Sequence, residues 1–285
     1  LPTDRVRPAT QSFAGARHRF ALDAGPARAL AALARGAGAT PFMALLAAFQ
    51  VLLHRVTGEE DVPVGCPIAN RTDADTEGLV GYLANTLVLR GDLAGDPDFR
   101  TLLARTRATA LAAYAHQALP FERLVEALRP GRDLGRNPLF QVAFVLQNYP
   151  RTALELEGVR LEPLAADAGT AKFDLLLELV PGDDGGFACA LEYATDLFTA
   201  ASAERLAGQF VALLQGIADA PDAPVSTLSL ARPDDAARLA AWNDTARAYP
   251  ADLRLGDVVR TQAARTPGAP ALVDGARRLD YAALD

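Results

Sequence analysis

The chain has 285 residues, half of them hydrophobic, and a formal net charge of −7. That length and apolar content provide for one large core plus an appendage, and the acidic balance denies the protein the overall basic field that nucleic acid or an anionic membrane attracts. No apolar run approaches the ~18 residues of a membrane-spanning helix. No secretion pattern follows Leu1, and Cys66 and Cys189 stand far apart without metal-ligand or disulfide spacing, so the expectation is a soluble cytoplasmic protein with two buried thiols.

Residues 1–10, with prolines at 2 and 8, read as an extended lead-in, and residues 11–22 alternate as a strand. An Ala/Arg-rich helix over 26–36 stops at Gly36 and Gly38. Thr40 and Pro41 then supply an N-cap and a pre-set first helical position for 42–55, so apolar that most of its circumference must be buried, with Gly58 as its stop. The β-branched stretch 61–68 reads as an interior strand and 87–90 as another. A helix runs from Pro97 through Tyr114 with Leu102, Leu103, Thr106, Ala110 and Ala113 on one face, and a second spans 121–128.

Strands dominate next, at 140–147, 159–163, 173–180 and 187–193, the last two joined by the turn-rich PGDDGG of 181–186 as a hairpin. Thr199 caps an amphipathic helix over 200–218. After Ala220 the composition loosens, with a short helix over 234–242 and coil over 243–249. A fresh helical pattern from Leu253 and a strand at 271–273 then suggest a second domain cut off near its start. The pattern predicts an α/β (α+β) lobe over 1–225, with a mixed sheet and flanking helices, a linker over 226–250 and a truncated domain over 251–285.

Acyl transfer needs a nucleophile activated by a base, or a base acting on an incoming amine. The three histidines, His18, His54 and His116, are isolated from one another in sequence. His54 reads as structural, near the end of its helix, where a cation complements the dipole. His116 lies at a helix-to-helix corner, either facing a cleft as a base or capping its helix. No serine sits in a Gly-x-Ser-x-Gly setting, and there is no glycine-rich phosphate loop. Residue-level reasoning ends at an α/β lobe without a self-contained active site.

Three ordered stretches resemble the C-terminal signature motifs of nonribosomal peptide synthetase condensation domains. VGYLANTLVLR at 80–90 is similar to the Ile-Gly-x-Phe-x-Asn-Thr pattern through Gly81, Asn85 and Thr86, with Leu83 in place of Phe. HQALPFERL at 116–124 resembles His-Gln-Asp-Leu-Pro-Phe-Glu, with Ala118 in place of Asp, and RDLGRNPLFQV at 132–142 has Gly135 in a usual Ser position. LPTDRVRP at 1–8, TPFMALLAAFQVLLHR at 40–55 and EDVPVGCPIANR at 60–71 have the same family texture. WNDTARAYP at 242–250 resembles the linker into an adenylation domain, and TPGAPALVDGARRLDYAAL at 266–284 resembles that domain's beginning, with Asp280 and Ala283 departing from its first motif.

The resemblance implies a chloramphenicol-acetyltransferase-like lobe, one of a V-shaped pair flanking a tunnel. It places the catalytic His-His-x-x-x-Asp-Gly motif in an N-terminal lobe upstream of Leu1, so the chain alone is expected to be inactive. The implied partners are that N-terminal lobe, donor and acceptor peptidyl carrier domains, and an adenylation domain. No cofactor is expected on this chain itself; 4'-phosphopantetheine belongs to the carriers, and ATP with Mg only to the truncated adenylation domain. The tunnel or inter-lobe candidates are Arg71, Asn85, Thr86, His116, Gln117, Arg132, Asp133 and Asn137. Arg71 would pair with a carboxylate reaching across from the N-terminal lobe or end its strand in solvent, and Asn85 would contact an amide or pantetheine or, with Thr86, cap a turn. Arg132, Asp133 and Asn137 would face the tunnel or stitch their own loop. The rival readings are an epimerisation domain, for which no Gly-x-Gly-Tyr-Gly segment is found, a stand-alone coenzyme A-dependent acyltransferase with His116 as base, and a non-catalytic carrier-docking module.

Overall fold

The computed structural model describes residues 1–71, 74–131, 133–147, 167–249 and 252–285. Strand β1 occupies Gly15–Leu22; the expected earlier start fails because Phe13, at φ 60°, turns the chain out of the extended region. Helices α1 (Ala24–Gly36) and α2 (Pro41–Thr57) follow. In α2 the Thr40 side chain accepts a hydrogen bond from the Met43 N–H, and Gly58 ends the helix in the left-handed conformation that a side chain would oppose. Every residue from Met43 to Leu53 is buried, as the apolar sequence demands.

Next come β2 (Asp61–Ile68), β3 (Asn85–Asp92), α3 (Phe99–Ala115), α4 (Phe121–Leu128), β4 (Val142–Leu146), β5 (Leu175–Pro181), β6 (Phe187–Ala194) and α5 (Ala200–Asp219). Asp98 caps α3 and Thr199 caps α5, each through its side chain. The expected strand at 159–163 lies outside the described residues. The six strands form one mixed sheet in the order β1-β6-β5-β4-β2-β3, with β4 parallel to β2 and β5 and the other pairings antiparallel. The β5–β6 hairpin closes through the 181–186 turn, as its residues predict.

Period-two alternation assigns the sheet two faces. Leu22, Val64, Leu89, Phe144, Leu177 and Leu191 point into a core with α2 and α5, centred on Phe49 between Phe144 (5.9 Å between centroids) and Phe210 (6.0 Å). Arg17, Glu192 and Glu178 project from the opposite face, where the Arg17 guanidinium donates to Glu192 (3.0 and 2.8 Å) and lies 3.6 Å from Glu178.

The lead-in is strapped to the lobe. The Asp4 carboxylate accepts from the Thr199 N–H (2.8 Å), the Thr199 hydroxyl (3.0 Å) and the Ser202 hydroxyl (2.8 Å), and these bonds hold its pKa below the usual carboxylate value. Asp4 therefore caps α5 from nearly two hundred residues away in sequence, a second capping group beside Thr199.

Chain contacts separate two units, Leu1–Pro233 and Asp234–Asp285. The first extends further than composition suggests. Arg55 donates to the carbonyls of Val225 (2.8 Å) and Leu228 (2.6 Å), the Val225 N–H bonds to the Pro97 carbonyl (3.0 Å), and the side chains of Val225 and Leu228 are buried. By contrast, residues 244–249 are exposed coil. A broad-specificity protease is therefore expected to cut within 244–249 well before 221–230, as followed by intact mass; equal or earlier cutting at 221–230 would show that the docked segment opens in solution.

The second unit begins within helix α6 (Pro233–Asn243), where Arg238 lies over the Trp242 ring at 5.3 Å. It continues through α7 (Leu255–Arg265), the strand pair β7 (Pro270–Asp274) and β8 (Arg277–Asp280), and the single turn α8 (Tyr281–Leu284). Strand β8 has no signature in sequence, because its RRLD stretch shows neither alternation nor β-branching; pairing with β7 around Gly275, at φ 57°, makes it a strand.

Candidate functional site

The first two sequence motifs meet at one point. Asn85, at the start of β3, donates its amide N–H groups to the carbonyls of Gln117 (2.9 Å) and Leu119 (2.8 Å), while its Oδ1 accepts from the backbone N–H of Thr86 (2.8 Å) and Phe121 (3.0 Å). Both donors and the acceptor oxygen are used, so the side chain fixes the corner between α3 and α4. Thr86 follows on the strand. Asn85 and Thr86 line a cleft of about 200 Å³ with Asn70, Tyr82, Pro120 and Phe121.

His116 is the C-cap of α3, with its ring Nδ1 2.9 Å from the Ala112 carbonyl. A carbonyl oxygen only accepts, so Nδ1 donates in that bond, and the ring is exposed. Gln117 contributes its backbone carbonyl to Asn85. Arg71 donates to the carbonyls of Thr76, Glu77 (3.4 Å) and Leu79 (2.9 Å), folding the 74–79 segment back on the end of β2. These bonds serve its own loop.

The third motif is a stitched loop. The Asp133 carboxylate accepts from the Gly135 N–H (2.8 Å) and lies 3.4 Å from Arg136. Asn137 donates to the Lys172 carbonyl (3.0 Å) and exchanges two bonds with the Gln141 side chain (3.1 and 2.7 Å). Arg132 lies outside the described residues.

Three aromatic rings connect this loop with the corner. Phe140 packs on Phe121 of α4 (5.6 Å) and on Phe173 (5.4 Å), and it rests directly on Gly65 of β2, where an added Cβ would fall 2.0 Å from the ring. Phe121, Phe140 and Phe173 form one aromatic belt that links the Asn85 corner with the Asn137 loop, Phe140 lying on the Gly65 side of the sheet, opposite the helical core. Phe140 lies within the third motif, whereas Gly65 and Phe173 carry no functional signature of their own in the sequence; a glycine inside an otherwise β-branched strand is the one available signal of a close approach.

On the helical side, a cavity of about 600 Å³ opens between the start of α2, the end of β2 and the end of α3, with Phe42, Cys66, Ile68, Leu87, Tyr114 and Phe187 among its walls. The Cys66 thiol is pushed far up by burial and the Cys189 thiol to about 12, so neither offers a thiolate nucleophile near neutral pH. Burial also raises the Tyr114 phenol. His54 accounts for its own ring by bonding the Glu59 carbonyl (2.7 Å). Among the described residues no group of His, Cys, Asp and Glu has metal-binding geometry. The site thus offers shaped walls and backbone-fixing amides, without an assembled base–nucleophile pair among the described residues.

Residues 1–240 match the family model described as the condensation domain. The chain is 46% identical over 288 residues to a linear gramicidin synthase of Brevibacillus parabrevis, covering all of the chain and 6% of that protein. It is 43% identical over 293 residues to the phosphinothricin tripeptide synthetase PhsB of Streptomyces viridochromogenes, again over its whole length and 24% of the relative. The chain therefore spans a quarter or less of the length of these curated relatives. Among solved structures, the X-domain from teicoplanin biosynthesis superposes with a TM-score of 0.74 at 33% identity, over 80% of this chain and 52% of that one. A four-domain nonribosomal peptide synthetase bound to AMP and glycine superposes with a TM-score of 0.87 over 99% of this chain and 22% of that one; at 24% identity it speaks for the fold alone.

Proposed function

The chain belongs to the condensation-domain family of nonribosomal peptide synthetases, and on that basis we propose that it supplies the C-terminal lobe of a domain joining carrier-tethered aminoacyl and peptidyl thioesters. In such a reaction the acceptor amine attacks the donor thioester carbonyl, the C–N bond forms, the C–S bond breaks, and the proton lost by the amine ends on the departing thiol. A positioned base would assist the attack. The observation that carries the reading is the family match over residues 1–240 in a sequence that contains no His-His-x-x-x-Asp-Gly motif. In this reading the base comes from a lobe upstream of Leu1, and this chain contributes a tunnel wall through the cavity and the motif belt.

The second unit is assigned to a linker and the start of an adenylation domain. Its support is that relatives match this chain to its last residues, whereas the condensation match ends at 240. The donor and acceptor carriers, with their 4'-phosphopantetheine, would be the partners of the lobe, and ATP with Mg would concern only the adenylation part.

The test is a condensation assay with two loaded carrier domains, product being followed by mass spectrometry. The chain alone is expected to give no product and the chain joined to its upstream lobe to give dipeptide, because loss of a positioned base alone costs about 10²–10⁴ in rate. Turnover by the isolated chain that disappears in His116→Ala would overturn this reading in favour of a stand-alone acyltransferase. A docking module without catalysis is the second reading, supported by 32% identity to an X-domain solved in complex with OxyB. Carrier binding without turnover in the joined protein would favour it.

A further inference from the structure

We propose that Arg7 is a positioning residue that clamps the 133–137 loop of the candidate site to a buried carboxylate, so that the shape of the third motif depends on a side chain in the lead-in segment. The loop's place in the site rests on the functional reading above, whereas the clamp itself is a matter of geometry.

Arg7 meets Asp174 as a fork. One terminal nitrogen donates to Asp174 Oδ1 (2.9 Å) and the other to Oδ2, and the Asp174 side chain is 1% exposed. The first nitrogen also donates to the Gly135 carbonyl (3.0 Å). The guanidinium thus joins three segments far apart in sequence. Lysine, a point charge on a flexible stem, cannot reproduce that planar arrangement. Bonding to Asp174 raises the Arg7 pKa, so the guanidinium keeps its charge.

The surroundings of the clamp leave the loop little freedom. The Gln11 N–H bonds to the Leu134 carbonyl (3.1 Å), and Gly135 packs so closely that an added Cβ would lie 2.6 Å from the Pro8 carbonyl oxygen. On its other side, the Asp174 N–H bonds to the Gln141 carbonyl (2.9 Å), and Gln141 holds Asn137. Asp174 also follows Phe173, the last ring of the aromatic belt. Arg7 therefore acts on the loop in two ways, through the Gly135 carbonyl directly and through Asp174 and Gln141.

The two contacts make separable predictions for hydrogen exchange and thermal melting of the full chain. Arg7→Ala leaves a buried, unpaired carboxylate and an untied loop; it should lower the melting temperature by roughly 5–15 °C and speed exchange over 133–141 about tenfold more than over α2. In Arg7→Ala/Asp174→Asn the stranded charge is gone, so more than half of the melting temperature returns while the loop still exchanges fast. Arg7→Lys keeps a charge near Asp174, folds, and shows loop exchange intermediate between wild type and Arg7→Ala. The clamp is refuted if the double variant regains loop protection together with its melting temperature, or if exchange in the Arg7 variants rises equally in α2 and the loop. Exchange needs no turnover, so failure of the functional reading in the carrier assay would leave this result independently readable.

Discussion

Asn85→Ala is expected to lower stability by about 2–4 kcal/mol, a large effect for a half-buried polar residue. The side chain makes four hydrogen bonds, to the Gln117 and Leu119 carbonyls and from the Thr86 and Phe121 N–H groups. Each such bond contributes about 1 kcal/mol net, and removing one partner leaves the others without a replacement except where water can enter. Water reaches this corner through the neighbouring cleft, which keeps the loss at the lower end of what a fully buried network would show. The change should be local as well as energetic: α4 has no buried residue of its own and depends on this corner, so its amides should lose protection first. Asn85→Asp should be worse than Asn85→Ala, because a carboxylate would face two carbonyl oxygens where the amide donated. Denaturant titration with an unchanged m-value checks the magnitude; a loss below about 0.5 kcal/mol would mean that the corner is held by something other than Asn85.

How far these features are legible in the sequence depends on the range of the interactions. Thr40, Asp98 and Thr199 act within one turn of the helices they cap, so two of those helix starts can be placed from local residues, and Pro97, one position before its cap, places the third. The hairpin turn at 181–186 is equally local. By contrast, Asn85 suits a ligand-facing role by residue type alone, whereas three of its four partners lie more than 30 residues away and turn its hydrogen-bonding groups toward the backbone. The tie from Arg7 to Asp174 crosses 167 residues, and no spacing rule could have joined them. The two strand edges escape local reading for a similar reason: the positive φ of Phe13 and the pairing of Arg277–Asp280 with β7 are set by neighbours in space rather than by side-chain alternation.

Gly65 is a position where a single added methyl should be costly for its size. It sits on β2 between β3 and β4, and an ideal Cβ there would lie 2.0 Å, 2.3 Å and 2.5 Å from three atoms of the Phe140 ring. Its backbone is not in the left-handed region, so alanine meets no conformational obstacle and the whole effect is steric. Gly65→Ala must therefore push Phe140 off the sheet and away from Phe121 and Phe173, at an expected cost of about 2–3 kcal/mol, the upper end of ordinary overpacking. Gly65→Val should exceed this and expose the belt to solvent. The steric account makes a stricter prediction through the partner. Phe140→Leu alone removes ring contacts and destabilises, but in a Gly65→Ala background the smaller side chain makes room for the new methyl. The double variant should accordingly be more stable than the sum of the two single losses by about 1–2 kcal/mol, the size of coupling expected for side chains in direct contact. Strict additivity in that cycle would show that Gly65 is required for the strand itself, and that the close approach of Phe140 is incidental.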